Sequence, residues 1–273
     1  MKVLVLGSCG QIGKPLVAHL ESLGHVVAQW DKVRGADEDL SLVANYDRLC
    51  QATAECDAVV FLAFEVGGSK YLSERDSQFS YIHENSMLMS LTFSALEKAK
   101  KPFLFASSQM ANMLHTNYGP LKLIGERYTQ SLGGWTCRFW NAYGYEDPDS
   151  PKSHVITDFI SMAKRDGVIK MRTSGAEARQ FLHVDDCAQA IAFWCSNHQN
   201  LNKDEFLDIT SHVWTTVAEV AQLIQANIPC IISSAKNEDN LQRGIKNAPN
   251  PYFLQFWKPT VSIQEGIRRL CHD

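Results

Sequence analysis

The chain has 273 residues, 45% of them hydrophobic and 21% charged, with a formal net charge of −4. That length allows one large domain or two small ones, and the composition is globular rather than disordered or fibrous. A slightly acidic chain offers no basic stripe to nucleic acid, and no apolar run reaches the roughly 18 residues of a spanning helix. Neither nucleic acid nor a membrane is therefore expected as a partner.

Met1 to Leu6 has too short an apolar run for a secretory leader and passes straight into glycines. Eight cysteines without a Cys-x-x-Cys pair fit reduced, buried thiols, so a cytoplasmic protein is expected. Nine histidines show no ligand spacing, and no metal site is expected.

In chain order, Lys2 to Leu6 reads as a buried strand that delivers Gly7-Ser8-Cys9-Gly10-Gln11-Ile12-Gly13. Leu16, Val17, Leu20 and Leu23 have helical spacing, which stops at Gly24, and His25 to Trp30 is a second strand closing on Asp31. Strand, glycine turn, helix, strand and acid is the context a dinucleotide fingerprint requires. The glycines allow close approach of backbone to pyrophosphate, and the helix start offers free N–H groups. Asp31 stands where a carboxylate accepts from both ribose hydroxyls and repels a 2′-phosphate, which favours NAD over NADP despite Lys32 and Arg34 nearby.

Further on, 41–53 reads as a helix, 57–64 as a third strand, 78–100 as a long helix and 103–106 as a fourth strand. Then come a helix over 118–132 and a fifth strand over 135–140. Five such strands alternating with helices predict a doubly wound parallel α/β sheet of Rossmann type, with its ligand at the carboxyl ends of the strands. Gly7, Ala63, Ser107, Ser108 and Asn141 fall at those ends.

Beyond the acidic, proline-marked loop from Tyr145 to Pro151, a smaller α/β unit is expected. It would have helices over 154–165, 217–224 and 263–271 and short strands over 168–171, 180–184, 205–209 and 230–232. The expected division is a cofactor domain over 1–145, with 185–210 packing back onto it, and a mainly substrate-binding domain over 146–273. The fourth strand ends in Ser107-Ser108, and a short loop leads to Tyr118-Gly119-Pro120-Leu121-Lys122. Positions i and i+4 share a helix face, so Tyr118 and Lys122 can point into one site, where an ammonium favours phenolate.

Taken together these segments resemble the nucleotide-sugar epimerase/dehydratase branch of the extended short-chain dehydrogenase/reductase superfamily. The resemblance rests on Gly7-x-x-Gly10-x-x-Gly13, the strand Asp57 to Ala63, and Ser108 with Tyr118 and Lys122. It rests also on Arg138-Phe139-Trp140-Asn141-Ala142-Tyr143-Gly144, Arg179-Gln180-Phe181-Leu182-His183-Val184-Asp185-Asp186, and Trp257-Lys258-Pro259 before Glu265-Gly266. It implies an NAD-dependent enzyme in which Ser108, Tyr118 and Lys122 are catalytic, with Ser107 a close second to Ser108. By the same resemblance Gln11 and Ile12 share the cofactor loop, Asp39 and Leu40 contact adenine, and Leu62, Ala63 and Asn85 line the cofactor cleft. Asn141 and Arg179 hold a nucleotide-sugar, and His154 lies on a segment that carries a catalytic or substrate-binding histidine in GDP-sugar relatives.

The resemblance also implies a homodimer formed through the helices over 78–100 and 118–132. Gln109-Met110-Ala111-Asn112 supplies no acid or base where 4,6-dehydratases carry one, and Gln109 stands where double epimerases carry a cysteine. A 4-epimerase is the least demanding expectation. A 4-dehydrogenase, a 4-keto-sugar reductase related to GDP-fucose synthase, a 4,6-dehydratase and a non-catalytic NAD-sensing scaffold are the alternatives. The loop between Ser108 and Tyr118 is shorter than in that family, which leaves the sugar pocket to be completed by another segment.

Overall fold

Strands that are apolar on both faces must lie between helical layers, and the computed structural model, which describes residues 1–237 and 247–272, has such a layered centre. Its strands are β1 (Lys2–Leu6), β2 (Val26–Trp30), β3 (Ala58–Phe61), β4 (Phe103–Ser108) and β5 (Trp135–Phe139). The intervening helices are α1 (Gly13–Ser22), α2 (Tyr46–Ala54), α3 (Ser69–Arg75), α4 (Phe79–Ala99) and α5 (Tyr118–Leu132). After β6 (Asn141–Tyr143) come α6 (Val155–Asp166), β7 (Val168–Met171), β8 (Ala178–Arg179), β9 (Phe181–His183) and α7 (Val184–Asn197). The chain ends with β10 (Leu207–Ile209), β11 (Thr215–Thr216), α8 (Val217–Gln225), β12 (Ile231–Ser234) and α9 (Ile263–His272).

The central sheet has six parallel strands in the order β10-β5-β4-β3-β1-β2. This is the doubly wound Rossmann arrangement. Register aligns the strand ends: Leu6 pairs with Trp30 and Phe61, and Ser108 with Phe139. The residues just past the strands, Gly7, Asp31, Leu62 and Trp140, therefore emerge on one edge. One apolar cluster packs α1 and α7 on one face, through Leu16, Leu20, Ile191 and Trp194. A second packs α4 and α5 on the other, through Met89, Phe93, Leu96 and Leu121. A third, around Phe159, Ile169, Val220 and Ile267, is the core of the smaller α/β unit formed by α6, β7, α8 and α9.

Several boundaries differ from the sequence expectation. Helix α2 begins at Tyr46, not at Ser41, because a 3-10 turn over Val43–Asn45 precedes it. Helix α3 was not expected: only Tyr71 and Leu72 of its seven residues are buried, too few to set a period. Strand β6 pairs with β9 outside the main sheet. No helix of the described residues is long and apolar enough to cross a membrane.

Candidate active site

The carboxyl edge of the sheet opens onto a cleft of about 820 Å³. Gly7, Gly10, Gln11, Ile12 and Gly13 line it, as do Asp31, Asp39, Leu40, Leu62 and Ala63. So do Ser108, Tyr118, Lys122, Asn141 and His154, which brings the glycine loop and the Tyr/Lys pair to one space.

The glycines have two different duties. A Cβ on Gly13 would press into the Ser8 backbone at 2.8 Å, so its absence lets α1 dock against the turn. At Gly10 a Cβ would meet only the Gly7 carbonyl, at 3.4 Å, and the space it would fill is the cleft itself. That open cradle lies at the start of α1, where backbone N–H groups favour an anion. The buried Nε2 of Gln11, which also lines the cleft, finds no partner among the described residues. Asp31 accepts from the backbone N–H groups of Cys9 at 2.9 Å and Val33 at 3.0 Å. Those bonds fix the carboxylate at the cleft and leave it lone pairs for a diol. The residues present thus fit a dinucleotide.

Successive strand residues face opposite ways, and this separates the two serines. Ser107 Oγ donates to Glu126 at 2.6 Å. Glu126 in turn is gripped by Arg138 through two bonds of 2.8 Å. Ser108 Oγ accepts from the Met110 N–H at 3.1 Å and hydrogen-bonds the Tyr118 phenol. Tyr118 sits on the first turn of α5, whose N-terminus is capped by the distant Asp76: its carboxylate takes the N–H groups of Asn117 at 2.8 Å and Tyr118 at 2.7 Å. Asp76 gave no sign of this in the sequence.

Burial pushes the Tyr118 phenol up to about 12, and the Ser108 hydrogen bond offsets part of that rise. Lys122 shares the helix face of Tyr118, as expected. Its ammonium donates to the Ala106 carbonyl at 2.7 Å and lies 3.7 Å from the centre of the Phe64 ring, against 5.8 Å for Tyr118. Burial pulls Lys122 down to about 7, with Cys137 and Glu126 opposing. A hydroxyl, a phenol and an amine on one wall, facing an anion cradle across a cleft, suit proton removal from an alcohol beside a redox cofactor.

The description "NAD dependent epimerase/dehydratase family" fits the chain over residues 3–209. The chain belongs to that family. Its members are NAD-dependent enzymes, and NAD is its cofactor. A rice (Oryza sativa subsp. japonica) protein named probable GDP-L-fucose synthase 1 is 26% identical over 310 aligned positions, covering 97% of this chain and 89% of that protein. Among solved structures, UDP-glucose 4-epimerase from Thermotoga maritima, with UDP-glucose, superposes with a TM-score of 0.80 at 17% identity, covering 100% of this chain and 98% of that one. The Thermus thermophilus UDP-glucose 4-epimerase in complex with NAD gives 0.78 at 19% identity, covering 98% and 97%.

Two of the residues expected at the site do not line this cleft. Asn85 is fully buried one layer behind the cleft wall, accepting the Glu65 N–H at 2.8 Å and donating to the carbonyls of Glu65 and Tyr81. It shapes the loop after β3 rather than lining the cleft. Arg179 pairs through β8 with β11, donates to the Ala178 carbonyl at 2.7 Å, and is not among the residues lining the cleft.

Other cleft residues carried no local signal in the sequence. Glu65 and Lys152 form an ion pair of 2.6 Å in the cleft. Glu146 accepts from the His154 N–H at 3.0 Å and lies 2.6 Å from His154 Nδ1. Burial would raise the Glu146 carboxyl, but the His154 contacts and a Thr157 bond hold it below its ordinary range. The Glu65–Lys152 pair joins segments that only the fold brings together.

Proposed function

We propose that the chain is a nucleotide-sugar epimerase of the 4-epimerase type. Tyr118 takes the proton of the C4 hydroxyl of an NDP-hexose, Ser108 orients the same oxygen, and Lys122 supplies the nearby positive charge. When bound, NAD accepts a hydride from the sugar carbon and returns it. Asn141 Oδ1, buried at the cleft and without a partner among the described residues, supports a role in accepting a substrate hydroxyl.

The observation that carries this reading is the residue immediately after Ser108. Gln109 has no titratable group, and Asn247 donates to both its carbonyl, at 2.6 Å, and its Oε1, at 3.0 Å. A pinned amide therefore occupies the position where elimination or double epimerisation would need an acid or a thiol.

A second reading, a 4-keto-sugar reductase, is favoured by one observation. His154 lies in the cleft with Nδ1 committed to Glu146, which leaves Nε2 as the nitrogen able to exchange a proton with substrate. We also infer a homodimer: α4 and α5 leave Phe79, Ile124 and Tyr128 exposed, side chains a second copy would cover.

The test is a panel of UDP-, GDP-, dTDP- and CDP-hexoses monitored by NMR and by the absorbance of reduced nicotinamide. An inverted C4 with no net cofactor reduction supports the epimerase. Consumption of NADH or NADPH with a keto-sugar supports the reductase, and no turnover with any sugar supports a non-catalytic NAD-binding scaffold.

A further inference from the structure

Two basic side chains, Lys32 and Arg34, come soon after Asp31, and a cation in that place is the partner a phosphate on the adenosine ribose would seek. Both are already engaged. Arg34 Nε donates to Glu38 at 3.1 Å, and Glu38 also takes the Asp31 N–H at 2.9 Å. Lys32 reaches over to the loop after β3, where its ammonium stands 2.9 Å from Glu65 Oε2.

Glu65 is built to keep that contact. Its side chain is only 8% exposed, and it also accepts from Lys152 at 2.6 Å and from the Tyr71 hydroxyl. Asn85 clamps its backbone from behind, on both the N–H and the carbonyl. Burial would raise this carboxyl, but the bonds from Lys152, Lys32 and Tyr71 hold it down at about 2. Lys32, Glu38 and Glu65 line the same cleft as Asp31 and the glycine loop.

We propose that Glu65 is a cofactor-selectivity residue, which by holding Lys32 in an ion pair withholds that cation from the 2′-phosphate of NADP. The phosphate then faces the carboxylates of Asp31 and Glu38, and the preference for NAD does not rest on Asp31 alone. Glu65 acts through Lys32 and is a positioning residue. A carboxylate buried against three donors keeps its partner better than a surface pair, whose worth is small.

Direct titration of NADH and NADPH by nicotinamide fluorescence tests this without any substrate. Glu65→Gln is expected to tighten NADPH relative to NADH roughly ten-fold, the order of one charge-assisted hydrogen bond. Adding Lys32→Ala to it removes the gain, and Lys32→Ala alone leaves the ratio at its wild-type value. Three results overturn the proposal: an unmoved ratio in a Glu65→Gln protein that still binds NADH, a gain that survives in the double variant, or weaker NADPH binding in Lys32→Ala alone. Should Glu65→Gln not fold, the Lys32→Ala comparison decides by itself, because that side chain is half exposed.

Discussion

Ser107 lines the cleft, but its hydroxyl donates to Glu126 at 2.6 Å and is spent on the buried Glu126–Arg138 pair. Only Ser108 meets Tyr118. Ser108→Ala is therefore expected to lower kcat by about 100-fold or more, with about 1 kcal/mol of stability lost with the Met110 cap. Ser107→Ala should keep turnover largely intact while costing about 1–2 kcal/mol of stability. Urea unfolding and steady-state rates on the two variants check the assignment.

Glu126 and Arg138 have side-chain exposures of 4% and 16%. Removing one partner strands the other charge, so Glu126→Ala should destabilise by roughly 3–5 kcal/mol. A melting temperature within a degree or two of wild type would contradict that role.

The two glycines should separate folding from binding. Gly13→Ala forces a Cβ into the Ser8 backbone and is expected to cost about 1–3 kcal/mol. Gly10→Ala has room in the protein, so the variant should melt normally and lose cofactor affinity roughly ten-fold or more. Calorimetric titration with NAD beside thermal melts distinguishes the outcomes.

Lys122 titrates at about 7 in the fold because burial disfavours its charge, against about 10.4 in an unfolded chain. Across that window the unfolded chain binds the additional proton, so this group's penalty is full below about pH 7 and is relieved as pH rises. Lys122→Met should thus stabilise the cofactor-free protein more at about pH 6 than at about pH 9, while abolishing turnover. Equal gains at the two pH values would contradict the shift.

Glu65 moves the other way. Its carboxyl is held at about 2 in the fold, below the unfolded value of about 4.3. Its contribution, on the order of 2–3 kcal/mol, is present above about pH 4.3 and is lost as pH falls toward 2. Glu65→Gln should flatten that part of the acid unfolding curve.

The sheet and glycine loop were legible because their signals are local: an apolar run of strand length, glycines at fixed spacing, an acid at the next strand's end. Tyr118 and Lys122 were legible because i and i+4 share a helix face. The segment 185–210 was expected to pack onto the cofactor domain, but not that Leu207–Ile209 would be the sixth strand beside β5, since so short a segment carries no address for its partner. Asn85 was expected to line the cleft, but its side chain is spent on the Glu65 backbone and the Tyr81 carbonyl one layer behind it. Glu65 had no readable role because one of the cations that fix it, Lys152, comes from a distant segment.

The most direct test of transient oxidation is turnover of an NDP-hexose deuterated at C4, with the product read by NMR in ordinary water. The account predicts an inverted C4 that retains its deuterium, no net reduced cofactor, and complete loss of the reaction in Tyr118→Phe. Deuterium washed out to solvent, or an inverted product formed by Tyr118→Phe at the wild-type rate, would contradict it.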